Sequence, residues 1–127
     1  MPQDLRHGSE PALAEVVKKY SGPNAAFLAS VDGECGGCTV ITAFDGTTAV
    51  LQRLYVLPHL RGCGVARLLT GAAVAFARSS GFERIVLDTD KQRLAAAYAL
   101  YLSMGFTECE PYGPVEYAEP TYMQLGL

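Results

Sequence analysis

The sequence predicts an α/β protein, because runs with the character of β-strands alternate with helical stretches. Residues 25–31 and 37–44 are apolar runs joined by Asp32-Gly33, a dipeptide typical of a hairpin turn. A further strand is predicted at residues 49–57. Apolar residues then recur at helical spacing over residues 65–77, so a core-facing helix follows this strand.

The second half of the chain continues the alternation of strand and helix. A strand is predicted at residues 84–89, and a helix at residues 94–104 ends at Gly105, a residue that suits the C-terminal cap of a helix. The remaining strands are predicted at residues 106–109 and 122–125, on either side of a loop over residues 111–120. The length of the chain is that of one domain, over residues 1–127.

The most informative segment joins the strand 49–57 to the helix 65–77. Residues 60–71 read Leu-Arg-Gly-Cys-Gly-Val-Ala-Arg-Leu-Leu-Thr-Gly, so the start of the helix has almost no side-chain bulk. Bare N–H groups at a helix N-terminus bind anions, because the orphan donors and the helix dipole both favour negative charge. Arg61 and Arg67 add positive charge, and the sequence therefore predicts a phosphate site.

Two familiar phosphate loops do not fit this segment. A Walker loop ends in Gly-Lys-Ser/Thr, which Ala66-Arg67-Leu68 does not supply. The dinucleotide fingerprint needs a third glycine after Gly62 and Gly64, and Arg67 at that position is too large for close packing of helix and strand. The pattern that remains is Arg-x-x-Gly-x-Ala.

This pattern resembles the pyrophosphate loop of the GNAT N-acetyltransferases, which bind coenzyme A. A second segment, from Leu100-Tyr101 to Gly105-Phe106, resembles the other signature of that family. The strand Leu54-Tyr55-Val56 ahead of the loop agrees as well, and the resemblance covers about residues 25–127.

The resemblance implies a mixed, mostly antiparallel sheet flanked by helices, with shortened N-terminal elements. It also implies acetyl-CoA as cosubstrate, a small primary amine as acceptor and no metal. Tyr101 is then the catalytic residue, which donates a hydrogen bond to the departing sulfur. The expected acetyl-CoA contacts are Leu54, Tyr55, Val56, Arg61, Gly62, Cys63, Gly64, Val65, Ala66 and Arg67.

The general base is not settled by the sequence. Many relatives carry a glutamate where this chain has Val50, and an asparagine where it has Leu94. Asp88 could act through water or could instead cap the following helix, and His59 is a second candidate, because an imidazole can accept a proton near neutral pH. Delivery of an amine that is already deprotonated, or a water chain that carries its proton to bulk solvent, is an equal alternative.

The chain departs from the family pattern at its N-terminal side. Only one short helix is predicted there, from the stripe Leu13, Val16, Val17 and Tyr20, ended by Ser21-Gly22-Pro23. The first strand is then missing, or residues 3–6 form a remnant of it, or a partner chain completes the edge. A homodimer that covers this edge or joins the C-terminal strands is expected, because a bare sheet edge is usually covered or paired.

Charge and composition narrow the partners. The formal net charge of −3 argues against nucleic acid or an anionic membrane as partner. The sequence opens polar and has no run long enough to span a membrane, so a cytoplasmic location is expected. Cys35 and Cys38 form a C-x-x-C, but residues three apart on a continuous strand point to opposite faces, which disfavours a redox pair or a zinc site.

Two functions of different class follow from these observations. The first is N-acetyl transfer from acetyl-CoA to a small amine by direct attack, which Tyr101 favours. The alternative is a non-catalytic acyl-CoA-binding or regulatory module of the same fold, which Val50, Leu94 and the shortened N-terminal side favour.

Overall fold

A single seven-stranded sheet organises the chain, for which a computed structural model describes residues 14–18, 24–112 and 120–127. The strands are β1 (Ala14–Lys18), β2 (Ala25–Val31), β3 (Glu34–Ala43), β4 (Thr48–Val56), β5 (Arg84–Thr89), β6 (Thr107–Glu108) and β7 (Thr121–Gly126). The α-helices are α1 (Val65–Ser79) and α2 (Ala95–Ser103). The strand order is β1-β2-β3-β4-β5-β7-β6.

The pairing of β4 with β5 gives the sheet its distinctive shape. This pair is parallel, whereas the other neighbouring pairs are antiparallel. Its register runs only from Thr48↔Arg84 to Val50↔Val86. Beyond Val50, β4 continues to Val56 with no partner on the β5 side among the described residues, so the two strands separate towards their C-terminal ends. The sheet therefore opens between β4 and β5.

The main core lies between the sheet and α1. Alternate residues of β2 are buried, as expected of a strand with one face against a helix. Phe27 of β2 meets Phe76 of α1 with ring centroids 5.9 Å apart. Ile41 and Ile85 continue this face across the sheet and are completely buried. Leu68, expected from its spacing to face the core, is instead 39% exposed.

The N-terminal prediction was wrong in its secondary structure. Ala14–Lys18 is a strand, β1, which pairs antiparallel with β2 from Ala14↔Val31 to Lys18↔Phe27. Such a short apolar segment fits either period, and pairing with an available sheet edge decides the outcome. The first strand is therefore present. β1 pairs with the edge of β2 that was expected to be unpaired. Residues 3–6, the alternative remnant, lie outside the described residues.

The other predicted elements are confirmed, with bounds that shift by up to three residues. Asp32 and Gly33 both have positive φ, 53° and 85°, as a tight hairpin turn requires. Most of the predicted loop at residues 111–120 falls outside the described residues. No helix in the described part of the chain is long and apolar enough to cross a membrane.

Candidate active site

The C-terminal end of β4 is turned by a β-bulge. Cys38 pairs with Tyr55 and Val40 with Gln52, so two residues of β4 oppose Thr39 alone. Arg53, in the bulge, has a φ of 58°, an unusual conformation for a residue with a side chain. The buried Thr39 hydroxyl donates to the Gln52 carbonyl at 2.9 Å and holds the bulge in place. The bulge was not predicted from the sequence.

Two glycines of β3 let the end of β4 and the following loop pack closely. A Cβ on Gly37 would lie 2.6 Å from the Tyr55 carbonyl oxygen, and one on Gly36 would lie 2.5 Å from Cδ1 of Leu60. The Leu57 amide donates to the Gly36 carbonyl at 2.9 Å. The glycines of the Cys-Gly-Gly-Cys segment therefore position the loop after β4.

That loop reaches α1 through a short 3-10 turn, Pro58–Leu60, and two glycines in the left-handed region. Gly62 has a φ of 83° and Gly64 a φ of 88°, and no side chain caps the helix at Gly64. The amides of residues 62–67 donate to no carbonyl or side chain among the described residues. Six successive donors therefore surround the N-terminus of a fifteen-residue helix, which is the arrangement that binds phosphate groups.

The two arginines of the loop have different surroundings. Nε of Arg61 donates to the Val56 carbonyl at 2.9 Å, and its guanidinium lies 5.3 Å from the centre of the Tyr55 ring. Arg61 thus stays beside the end of β4. Arg67 instead donates to the Ser103 hydroxyl at 2.8 Å and links α1 to α2. Both charges were expected at the phosphate, and the link between Arg67 and Ser103 was not predicted from the sequence.

Tyr101 lies in the core at the end of α2. It is 6% exposed, and its ring centre lies 5.6 Å from that of Phe106. No other described residue accepts a hydrogen bond from its hydroxyl. Burial, with a smaller contribution from the Asp88 carboxylate, raises the pKa of Tyr101 to about 12. The neutral hydroxyl is therefore available as a hydrogen-bond donor throughout the neutral range.

The candidate bases occupy separate positions. The carboxylate of Asp88, near the end of β5, accepts a hydrogen bond from the Tyr112 hydroxyl at 2.8 Å. Asp90, not Asp88, makes the cap-like bonds before α2, since its Oδ1 accepts from the amides of Gln92 and Arg93. His59 is exposed in the 3-10 turn.

The cysteine geometry differs from the one expected. A register shift between Ala29 and Ser30 leaves Gly36 as an extra residue in β3. Cys35 and Cys38 therefore sit opposite Ser30 and Leu28 on the same face of the sheet, and the prediction that they diverge was wrong. All four cysteines are free thiols. The described residues contain no group of three or more His, Cys, Asp or Glu side chains placed to hold a metal.

Comparison with known proteins decides the family. The family model described as the acetyltransferase (GNAT) family matches residues 3–106. The chain belongs to the GNAT acetyltransferase family. An uncharacterized N-acetyltransferase from Schizosaccharomyces pombe is 34% identical over 118 residues, which cover 91% of this chain and 72% of that protein. Another from Escherichia coli is 36% identical over 102 residues, or 77% of this chain and 60% of that protein.

A solved structure supports the GNAT fold independently of sequence. The GNAT family acetyltransferase of Elizabethkingia anophelis, determined with acetyl-CoA bound, aligns with a TM-score of 0.76 at 14% identity. The alignment covers 91% of this chain and 99% of that one. The described residues therefore form the expected GNAT fold. This fold includes a first strand, β1, which was not predicted from the sequence.

Proposed function

We propose that this chain transfers the acetyl group of acetyl-CoA to the primary amine of a small molecule by direct attack. The observation that carries the proposal is the set of six amides at residues 62–67, which have no acceptor among the described residues and follow the open end of β4 along the chain. The Tyr101 hydroxyl, which binds no described residue, adds a donor on α2. The bound acetyl-CoA in the E. anophelis relative supports the choice of cosubstrate.

The loop supplies the pyrophosphate contacts. The amides of residues 62–67 donate to phosphate oxygens, and the helix dipole of α1 adds to the attraction. Gly62 and Gly64 keep the approach free of side chains, and Arg61 contributes positive charge from the strand side. Arg67 acts mainly through its bond to Ser103, which fixes α2 relative to α1.

The open end of β4 and Tyr101 supply the chemistry. Alternate backbone amides of Leu54–Val56 face the opening, where they can donate to the oxygen of the tetrahedral intermediate. Tyr101 donates a hydrogen bond to the departing sulfur. Full proton transfer from a phenol of pKa about 12 to a thiolate of about 8.5 would cost about 5 kcal/mol. Tyr101 therefore acts by hydrogen bonding. The thiolate takes its proton from another donor, or takes it only after the acetyl group has been transferred.

The amine must lose a proton before it attacks the thioester, because its pKa is about 10 in water. Asp88 and His59 remain the candidate acceptors of this proton, together with solvent. Asp88 is coupled electrostatically to Tyr101, whereas His59 is exposed in the loop. Asp88 is therefore the better placed of the two side chains.

The alternative function is a module that binds acyl-CoA without catalysis. Two observations favour it: Val50 on β4 is buried, and Leu94 is 54% exposed ahead of α2, so neither position offers a polar side chain. The free hydroxyl of Tyr101 is the observation against it.

A panel of amines assayed for release of coenzyme A thiol from acetyl-CoA separates the two functions. Cosubstrate binding is measured in parallel by thermal shift. Release that depends on both the amine and the enzyme supports the transferase. Clear binding of acetyl-CoA with no release above the enzyme-free rate for any amine would assign the module instead.

We also propose a homodimer and a cytoplasmic location. β1 is the outermost strand of the described sheet, so its outer edge is the backbone that a second copy would pair with. Light scattering at high micromolar concentration should give twice the chain mass of 13.6 kDa. A monomer mass would reject the dimer and leave the transferase proposal intact.

A further inference from the structure

A carboxylate and three aromatic rings meet on the sheet face opposite α1. Asp88 and Tyr122 occupy opposite register positions of β5 and β7 on this face. The Tyr112 hydroxyl donates to Oδ1 of Asp88 at 2.8 Å. The Tyr112 ring makes edge-to-face contacts with Tyr122, centroids 5.4 Å apart, and with Phe44, 6.0 Å apart. We call Asp88, Tyr112 and Tyr122 the aromatic-acid wall.

The wall stands at the edge of the opening between β4 and β5. Asp88 lies two residues beyond Val86, the last residue of β5 that pairs with β4. It is only partly buried. Its charge contributes to the raised pKa of Tyr101, so the carboxylate lies within electrostatic range of the Tyr101 hydroxyl. Tyr122 also lines an adjoining cleft of about 800 Å³.

A carboxylate beside aromatic rings favours one class of ligand. An ammonium group gains a charge-assisted hydrogen bond from the carboxylate and a cation–π interaction from a ring within about 6 Å. The same wall repels a ligand carboxylate. We propose that the aromatic-acid wall binds the acceptor as an ammonium ion, so that the acceptor is an apolar primary amine that carries no carboxylate. This inference rests on the proposed transferase function and specifies its acceptor.

The cations of the adjoining cleft do not reverse this preference. Lys91 is paired with Glu108 at 3.2 Å, and its ammonium lies 5.9 Å from the Tyr98 ring. Arg93 is exposed at the rim, next to the Asp90 carboxylate, which binds its backbone amide. The cleft contributes two positive and two negative side chains in total, so it adds no net charge beside Asp88. Arg84, on the same face of β5, donates to Thr48 and Gln124.

Three probes of one skeleton test the preference by titration calorimetry in the presence of coenzyme A. Phenethylamine is the cation, phenethyl alcohol is its neutral analogue, and phenylalanine adds a carboxylate to the amine. Phenethylamine should bind about tenfold or more tightly than either of the other two, as expected for one charge-assisted hydrogen bond. Equal or tighter binding of phenylalanine or of the alcohol would overturn the inference.

Three variants test whether the affinity for phenethylamine depends on the aromatic-acid wall. Asp88→Asn should lose about tenfold or more in phenethylamine affinity. Tyr112→Phe keeps the carboxylate but removes its hydrogen bond, and should lose less. Glu83→Gln removes an exposed carboxylate just before β5, at the end opposite to Asp88, and should bind like the wild type. If Asp88→Asn does not fold, the three probes on the wild type and on Tyr112→Phe still decide. Unchanged affinity in a folded Asp88→Asn would overturn the inference.

The outcome is independent of turnover. Thiol release from acetyl-CoA with any amine tests the transferase proposal, whereas the ranking of the three probes tests the wall. Acetylation of phenylalanine in preference to phenethylamine would keep the transferase and reject the wall. Tight, Asp88-dependent binding of phenethylamine, with no thiol release for any amine of the panel, would keep the wall and reject the transferase.

Discussion

Gly37 and Tyr55 approach so closely that no side chain fits between them. A Cβ on Gly37 would lie 2.6 Å from the Tyr55 carbonyl oxygen and 3.3 Å from Cα of Val56. Both neighbours are backbone atoms of a paired strand, so neither can move aside without displacing β4. Because the end of β4 is the expected acetyl site, this contact links packing to catalysis.

Gly37→Ala should therefore lower both stability and activity. We expect a loss of about 1–3 kcal/mol in the free energy of unfolding, the range for overpacked sites, measured by urea denaturation. The displaced β4 should also lower kcat/KM in the folded protein. Gly46→Ala is the matched control, since a Cβ there meets no atom within 4 Å. Wild-type kcat/KM in Gly37→Ala would show that the contact does not position the site.

The charge at the start of α1 gives a second prediction. Acetyl-CoA should stabilise the wild type by about 2.7 kcal/mol at a hundredfold excess over its Kd, measured by thermal unfolding. Ala66→Glu places a carboxylate among the amides of residues 62–67 and should abolish this stabilisation. The variant tests the loop better than Gly64→Glu does, because Gly64 has a φ of 88° and any side chain there is strained.

Two control variants separate the effect of the added charge from the effects of side-chain size and of position on the helix. Ala66→Gln has the size of the glutamate without its charge and should keep part of the stabilisation. Ala75→Glu puts the same charge on an exposed site of the same helix and should keep all of it. Equal stabilisation of Ala66→Glu and the wild type by acetyl-CoA would show that this loop does not bind the pyrophosphate.

The elements of the fold could be predicted where local sequence signals are strong. They could not be predicted where long-range strand pairing or a single contact determines the structure. Asp32-Gly33 and the small residues around Gly64 specify their turn and helix start locally, and both were predicted. Residues 14–18 became a strand because β2 offered a free edge, which no local pattern reveals. The link from Arg67 to Ser103 spans 36 residues, and the bulge at Arg53 depends on pairing with β3.

Tyr101→Phe isolates the proposed catalytic donor. The ring stays in place against Phe106, while the hydroxyl that no described residue binds is removed. We expect kcat to fall by about 10²–10³-fold, the cost of one positioned donor, with little change in acetyl-CoA affinity. Single-turnover rates and equilibrium binding of acetyl-CoA measure the two quantities. A wild-type rate in the variant would exclude Tyr101 from the mechanism.

The same residue predicts a loss of stability in alkali. The pKa of Tyr101 is about 12 in the folded chain, raised by burial and then by Asp88, against about 10 in the unfolded chain. The folded state therefore holds one more proton between these values, and stability falls as pH rises through them. The full difference is about 3 kcal/mol, present below pH 10 and lost by about pH 12. Over this range, the unfolding free energy of the wild type should fall towards that of Tyr101→Phe or below it. The comparison isolates Tyr101, because every other tyrosine titrates in both proteins. A difference between the two proteins that stays constant from pH 9 to pH 12 would contradict the buried, neutral hydroxyl on which the catalytic role depends.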